Sequence, residues 1–205
     1  REEGRRVMFY KDIEEVEIAS CIRGKTAVKL HMGDEGNKTH ISPDDMRIIF
    51  KKLKENGCEP FLFDTTVIYR RKRVTVEGYM EVARENGFSE FPVVIADDSR
   101  FEVRGGFPIP KQLLEADSLL VVSHATGHIL TGYGGAIKNL GMGCVNKEGK
   151  MKIHSFNKPI QREEKCELCG ACVKACGSGF IRIEDGRVKI CLLYTSDAAD
   201  ELDGV

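Results

Sequence analysis

The segment Ser42-Pro-Asp-Asp-Met-Arg-Ile-Ile-Phe-Lys-Lys-Leu-Lys-Glu-Asn-Gly-Cys-Glu-Pro-Phe-Leu-Phe-Asp-Thr-Thr66 has the pattern of one helix followed by one buried strand. Ser42 is a suitable helix N-cap, and Pro43 fits the first helical position. Apolar residues then recur at helical spacing until Gly57, which predicts the end of the helix. Residues 60–63 are predicted to form a short buried strand that ends in the polar triplet Asp-Thr-Thr.

The same alternation continues on both sides of this segment. Before it, Thr26–His31 has a period of two, which predicts a strand. After it, Thr75 is a suitable cap for a second helix, which closes at Asn86-Gly87. The further predicted elements are a strand over 91–95, a short helix around 111–116 and a strand over 118–122. Strands that alternate with helices indicate an α/β fold, with a mainly parallel sheet and flanking helices.

Three segments fall outside this pattern. Residues 7–18 are predicted to form an irregular strand or hairpin. The stretch that contains Gly105 and Pro110 is predicted to be irregular, and residues 146–160 form a polar connector.

Polar residues follow each predicted strand of the α/β region. In a parallel sheet the carboxyl ends of the strands meet at one edge, where ligands bind. We therefore expect the polar segments to gather there. These segments are His31–His40, Asp64–Thr66, Asp97–Asp98 and Ser123–His128.

Four cysteines near the C-terminus have the spacing Cys-x-x-Cys-x-x-Cys-x-x-x-Cys, which is typical of bacterial ferredoxins. The predicted metal ligands are Cys166, Cys169, Cys172 and Cys176. In ferredoxins with two clusters, three such thiolates bind one cluster and the fourth binds the other. Asp185-Gly186 lies between two alternating segments and predicts a hairpin, as in a ferredoxin half-repeat. We expect two [4Fe–4S] clusters in the intact protein.

Two other uses of the cysteines fit this spacing less well. Structural zinc sites usually consist of two separated Cys-x-x-Cys pairs. A redox Cys-x-x-Cys pair needs only two cysteines. Gly177 stands where ferredoxins commonly have proline, a change expected to alter the stiffness of the loop without removing a ligand.

The domain boundaries follow from these patterns. Residues 1–158 are predicted to form the α/β domain, and residues 159–190 the first half of a small ferredoxin-like α+β iron–sulfur domain. The run from Cys191 to Glu201 resembles a translated sequencing-library adapter, so residues 191–205 are interpreted as an adapter-derived tail that truncates the iron–sulfur domain.

A histidine- and glycine-rich segment follows the predicted strand at 118–122. His124 and His128 are four residues apart, a spacing that on a helix would place them on one face as metal ligands or acid–base groups. Lys138 could supply a positive charge, so these three are weak catalytic candidates. Glycines let the backbone approach a ligand closely, and the candidates for anion binding are Gly132, Gly134 and Gly135. The alternative is that the histidines bond backbone carbonyls and the glycines only form turns.

The composition limits the possible partners. The chain has 205 residues, with 31 basic against 32 acidic side chains and a net charge of −1. This charge balance does not indicate nucleic acid as a binding partner. No apolar stretch is long enough to span a membrane. Close cysteine spacings suit reduced thiols in a cytoplasmic protein. The expected partners are a redox partner protein or a small anionic ligand.

The chain resembles the domain-of-unknown-function 362 family over about residues 7–190. The resemblance is carried by Lys29–Asn37, Ser123–His128, Gly134–Cys144 and the cysteine run. Members of this family often carry a C-terminal ferredoxin-type domain. Membership would imply an iron–sulfur protein of anaerobic or redox metabolism, with no settled reaction.

Three functional hypotheses remain open at this point. The first is an electron-transfer protein in which an α/β domain binds a small anionic ligand or partner. The second is a redox or metal-cofactor-dependent enzyme that acts on a small anionic substrate, with His124, His128 and Lys138 as acid–base or ligand groups. The third is a non-redox scaffold stabilised by a structural cluster or by zinc.

Overall fold

The computed structural model describes residues 7–68, 71–125, 127–128, 132–155, 160–176 and 181–190. The helices are α1 (Pro43–Glu55), α2 (Val76–Glu85), α3 (Lys111–Leu114), α4 (Gly135–Gly141), α5 (Lys147–Ser155) and α6 (Ala171–Ala175). The strands are β1 (Gly24–Leu30), β2 (Cys58–Thr65), β3 (Val93–Ala96), β4 (Phe101–Arg104), β5 (Phe107–Pro110), β6 (Ser118–Val122), β7 (Gly127–His128), β8 (Gly132–Tyr133), β9 (Ile181–Glu184) and β10 (Arg187–Ile190). Short 3-10 turns lie at Ile13–Glu15, Lys72–Val74 and Glu163–Lys165.

A four-stranded parallel sheet forms the centre of the α/β region, with the order β3-β2-β1-β6. The chain first adds strands on one side of β1, through β2 to β3, and then returns to place β6 on the other side. The strand order therefore reverses between β1 and β6. These strands and the flanking helices confirm the predicted α/β fold class.

The two longer helices at the sheet begin at the predicted caps. The side-chain oxygen of Ser42 accepts a hydrogen bond from the main-chain N–H of Asp45 at 3.1 Å, and Pro43 opens α1. Thr75 caps α2 in the same way, through the N–H of Gly78 at 3.1 Å. Each cap satisfies a helix N–H that has no partner within the helix.

Alternate side chains of the strands build a core on each face of the sheet. On one face, Val28, Leu30 and Leu62 pack with the apolar sides of α1 and α2. On the other face, Ala27, Phe61, Phe63 and Ala96 form a smaller cluster, against which Leu113 and Leu119 pack. Because the sheet is covered on both faces, β2 is buried along almost its whole length.

The three segments predicted to be irregular have different structures. Residues 13–15 form a 3-10 turn rather than part of a strand. Residues 101–110 form the antiparallel hairpin β4–β5, because Gly105 and Gly106 adopt φ of 57° and 81° and complete a two-residue turn. The predicted connector contains α5, in which Gly149 and Lys150 are buried. Tertiary packing rather than helix propensity stabilises α5.

The C-terminal part confirms one local prediction. Strands β9 and β10 pair as an antiparallel hairpin, and Asp185 and Gly186 adopt the left-handed conformation in its turn, with φ of 52° and 68°. The interpreted tail at residues 191–205 lies outside the described residues. Within the described part of the chain, no helix is long and apolar enough to cross a membrane.

Candidate functional site

A small pocket lies at the carboxyl ends of β1, β2 and β6, where the strand order of the sheet reverses. Its volume is about 30 Å³. Such reversal points leave a crevice at the sheet edge and are the usual ligand sites of open α/β sheets. The strand ends contribute Lys29, His31, Asp64, Thr65, Ser123 and His124 to its wall.

A buried ion pair forms one wall of the pocket. The Nζ atom of Lys29 lies 2.9 Å from Oδ1 of Asp64, and both side chains are almost completely buried. The hydroxyl of Tyr79 donates to Oδ2 of the same carboxylate at 2.5 Å. Burial raises the pKa of Asp64, but the charges of Lys29 and His31 and the hydrogen bond from Tyr79 outweigh it, so the pKa lies below its usual value. Asp64 is therefore ionised at neutral pH.

A second buried network lies beside the first. Oδ1 of Asp34 accepts from Nε of Arg73 at 3.3 Å, and Oδ2 accepts from Arg71 at 3.3 Å. Nη1 of Arg73 lies 2.9 Å from Nε2 of His31, whose Nδ1 accepts from the main-chain N–H of Gly33 at 3.2 Å. Arg73 and Asp34 are each 1% exposed. Asp34 thus holds a guanidinium in place at the pocket wall.

Asn139 of α4 connects the helix to two strand ends. Its Oδ1 accepts from Nζ of Lys29 at 2.5 Å. Its Nδ2 donates to the carbonyl of Val122 at 3.0 Å and to the hydroxyl oxygen of Ser123 at 2.7 Å. One side-chain amide therefore fixes the positions of Lys29 and Ser123 relative to each other.

A third cation reaches the pocket from α5. Nζ of Lys150 donates to Oγ1 of Thr65 and, at 2.9 Å, to the carbonyl of Val145. Thr65 in turn donates to the carbonyl of Gly143 at 3.2 Å. Gly143 is in tight contact with Lys29, because a Cβ atom there would lie 2.6 Å from Nζ. Four cationic side chains line the pocket, Lys29, Arg73, Lys138 and Lys150, against one carboxylate, Asp64.

The family model described as Domain of unknown function (DUF362) matches residues 26–191. The chain belongs to the DUF362 family. None of the curated proteins and none of the solved structures compared with it matches. The matched range includes every residue of the pocket wall and the whole cysteine run.

The DUF362 pocket includes two of the three predicted catalytic candidates. His124 and Lys138 line it, as does Gly135 of the predicted anion-binding glycines. His124 and His128 do not share a helix face, because His124 lies in a loop and the backbone of His128 is in β7. Gly132 begins β8, and Gly134 precedes α4.

The surroundings of His124 disfavour its protonated form. Partial burial is the first cause of its lowered pKa, and electrostatic interactions with His31 and His40 lower it further. Burial also raises the pKa of the Cys144 thiol to about 11. Cys144 is therefore a protonated, buried thiol at neutral pH.

Not every polar strand end belongs to the site. His40 bonds the carbonyl of Ile41 at 2.8 Å and packs against the ring of Phe88. Asp98 accepts from the main-chain N–H of Lys147 at 2.7 Å and so anchors the start of α5. The prediction of one shared edge is thus correct for β1, β2 and β6, while the segment after β3 has a structural role.

The cysteine run of this DUF362 chain forms a loop followed by a short helix. Leu168 and Gly170 adopt left-handed φ of 52° and 74°, which curls the loop, and α6 carries Cys172. All four cysteines are exposed or half-buried. Among the described residues, no group of three or more His, Cys, Asp or Glu side chains could hold a metal ion. The thiols therefore do not converge in this structure.

Sequence reasoning did not identify several residues of the pocket. Lys29 and Lys150 look like the surface lysines of a strand and a polar connector, and Arg73 like a loop arginine. One available signal was the placement of Lys29 between the apolar residues Val28 and Leu30, since an interior strand rarely carries a charge without a partner.

Proposed function

We propose that this chain is an iron–sulfur protein whose α/β domain binds a small anionic ligand at the carboxyl edge of its sheet. The observation that carries the ligand-binding half is the lining of the pocket, in which four cationic side chains stand beside Asp64 in the wall and Asp34 behind Arg73. Burying cations is costly unless anions compensate for them. A bound anion would supply this compensation where the strand order reverses.

The iron–sulfur half rests on the cysteine run and the backbone around it. The thiolates at positions 166, 169, 172 and 176 have the donor chemistry and spacing of a [4Fe–4S] site. The left-handed residues Leu168 and Gly170 already turn the loop between the first three cysteines. Metal–thiolate bonds would bring these side chains together, since metal binding is coupled to folding in small metal-binding domains. A cluster would supply one-electron transfer.

The two halves have complementary roles in this proposal. The pocket residues bind and orient the anion, and Lys29, Asp64 and Tyr79 hold fixed charges and protons beside it. The cysteine domain would exchange electrons with a redox partner protein. In this proposal the chemistry of the bound ligand decides whether the ligand is oxidised or reduced. The buried residues Lys29, Asp64 and Tyr79 do not decide it.

Anaerobic reconstitution tests the iron–sulfur half. The full chain is incubated with iron and sulfide, and iron, acid-labile sulfide and the EPR spectrum after reduction are measured. Cys169→Ser and Cys172→Ser should each lower the iron content strongly. Cys21→Ser is the matched control, because Cys21 is also an exposed free thiol but lies outside the run. Protein that binds only zinc, or no iron at all, would refute this half.

Calorimetric titration with inorganic phosphate and with acetate tests the ligand-binding half. Lys150→Met should weaken the binding of whichever anion is bound, because it removes a buried cation from the pocket wall. Lys51→Gln is the control, since this lysine of α1 is 77% exposed and remote from the pocket. Equal affinity of the two variants would contradict an anion site here.

A further inference from the structure

Lys29 retains one hydrogen-bond donor for a ligand. Its ammonium group has three N–H donors. One points to Oδ1 of Asp64 at 2.9 Å and one to Oδ1 of Asn139 at 2.5 Å. Within the described ranges of the chain, the third has no acceptor. Because the side chain is 1% exposed and lines the pocket, this donor is available only to something inside the pocket.

Ser123 offers a second donor beside the first. Its oxygen accepts from Nδ2 of Asn139 at 2.7 Å, so the hydroxyl keeps its own proton for another acceptor. No such acceptor is found among the residues that the structure describes. Ser123 and Lys29 bond to the two ends of one side-chain amide, that of Asn139, and both line the same pocket.

The number of these donors limits what the pocket can bind. Its volume of about 30 Å³ leaves room for a small polar group. Lys29 and Ser123 each offer one hydrogen bond, and the amide of Asn139 holds both side chains. A carboxylate has two oxygens and can accept one hydrogen bond on each. The two donors therefore match a carboxylate.

The charges of the pocket favour an ionised acid over an amide of similar size. Lys29 shares its charge with Asp64, and Arg73 shares its charge with Asp34. Lys138 and Lys150 also line the pocket. An amide would bring an N–H donor towards these cations, whereas a carboxylate is an acceptor only.

We propose that the pocket binds the carboxylate group of a small organic acid, with one oxygen on Nζ of Lys29 and the other on the hydroxyl of Ser123. This inference rests on the ligand-binding half of the proposed function and names the class of ligand. Asn139 is the positioning residue, because its amide holds both donors.

Competitive binding of three probes tests this inference. Acetate and succinate are titrated calorimetrically into the full chain, alone and in the presence of inorganic phosphate at constant ionic strength. Both carboxylates should bind and phosphate should compete poorly. Ser123→Ala should weaken carboxylate binding about tenfold, the loss of one hydrogen bond to a charged group. This residue is only half-buried, so the variant should fold, which far-UV circular dichroism checks.

Two further variants separate the possible outcomes. Lys29→Met should reduce carboxylate binding at least as strongly, although it also leaves Asp64 without its ion-pair partner and can reduce stability. Lys51→Gln should bind like the unaltered chain. Phosphate binding that exceeds acetate binding and is unaffected by Ser123→Ala would overturn the carboxylate assignment but keep the anion site. No binding of any of the three probes would overturn both.

Discussion

Replacing Gly143 by alanine should destabilise the protein and disturb the pocket through a single added methyl group. A Cβ atom at this position would lie 2.2 Å from the carbonyl oxygen of Asn139 and 2.4 Å from Cε of Lys29. The first contact is with backbone, which cannot rotate away, and the second is with a lysine held by Asp64 and Asn139. Both neighbours must therefore move.

The size of the effect follows from the cost of overpacking. Inserting a methyl group into a well-packed site typically costs about 1–3 kcal/mol. For a domain of this size, each kcal/mol lowers the melting temperature by about 2–4 °C. We therefore expect Gly143→Ala to melt roughly 2–12 °C below the unaltered chain. Urea and thermal unfolding followed by far-UV circular dichroism measure both quantities.

Gly141→Ala is the matched control, two residues earlier in the same chain. A Cβ atom at Gly141, the last residue of α4, would have no heavy atom within 4 Å beyond its chain neighbours and its own helix. Since alanine restricts the unfolded chain more than glycine, this variant should be as stable as the original, or more stable by about 0.5–1 kcal/mol. Equal unfolding midpoints for the two variants would refute the packing that we describe around Lys29.

Three further predictions concern the buried polar groups. Asp64→Asn should lower the free energy of unfolding by about 3–5 kcal/mol at neutral pH, because it leaves Lys29 buried without a counter-charge. Since the folded pKa of Asp64 is lowered, its stabilisation is present above the unfolded pKa of about 3.9 and is lost as the pH falls through the folded value. At acidic pH, the unfolding free energy of the variant should therefore depend less on pH than that of the unaltered chain. Urea unfolding at several pH values measures this, and an equal pH dependence of the two proteins would contradict the prediction. Tyr79→Phe should lower the free energy of unfolding by about 1.5–3 kcal/mol in the same assay, because it removes a hydrogen-bond donor to a buried carboxylate. A decrease below about 0.5 kcal/mol, the size typical of a surface substitution, would contradict the hydrogen bond between Tyr79 and Asp64. The pKa of His124 is lowered on folding, so the unfolded chain takes up a proton first and stability falls as the pH drops through about 6.5. His124→Gln should therefore lose less unfolding free energy than the original between pH 7 and pH 5.5. If the unfolding free energies of the two proteins fall equally steeply over this range, the lowered pKa of His124 is contradicted.

Local signals in the sequence predicted the α/β fold well. Ser42 and Thr75 cap helices through hydrogen bonds to residues only three positions away, so the caps are visible in the local sequence. The strands were recognisable because their apolar residues are buried on the two faces of the sheet. The hairpin β4–β5 was missed because Pro108 and Pro110 argue against a strand, although an edge position tolerates them. The helix α5 was missed because its packing against the α/β core, rather than its composition, stabilises it.

The site was only partly predictable, because its contacts join distant parts of the chain. His124 and Lys138 could be proposed from a conspicuous glycine-rich segment. The bond between Lys29 and Asn139 spans 110 residues, and no local pattern marks either partner. The guanidinium of Arg73 is held at the pocket wall by Asp34, which is 39 residues away in sequence. Pairings of this kind are decided by the strand order, which the sequence pattern leaves open.

The several bonds of Asn139 make its position unusually intolerant of substitution. Aspartate has the same shape but would offer no donor to Val122 and Ser123, and leucine would offer neither donor nor acceptor. Glutamine has the right groups, yet its extra methylene would move them by more than a hydrogen bond can stretch. We expect family members that keep Lys29 to keep asparagine here as well, so the two residues should change together over evolutionary time or not at all.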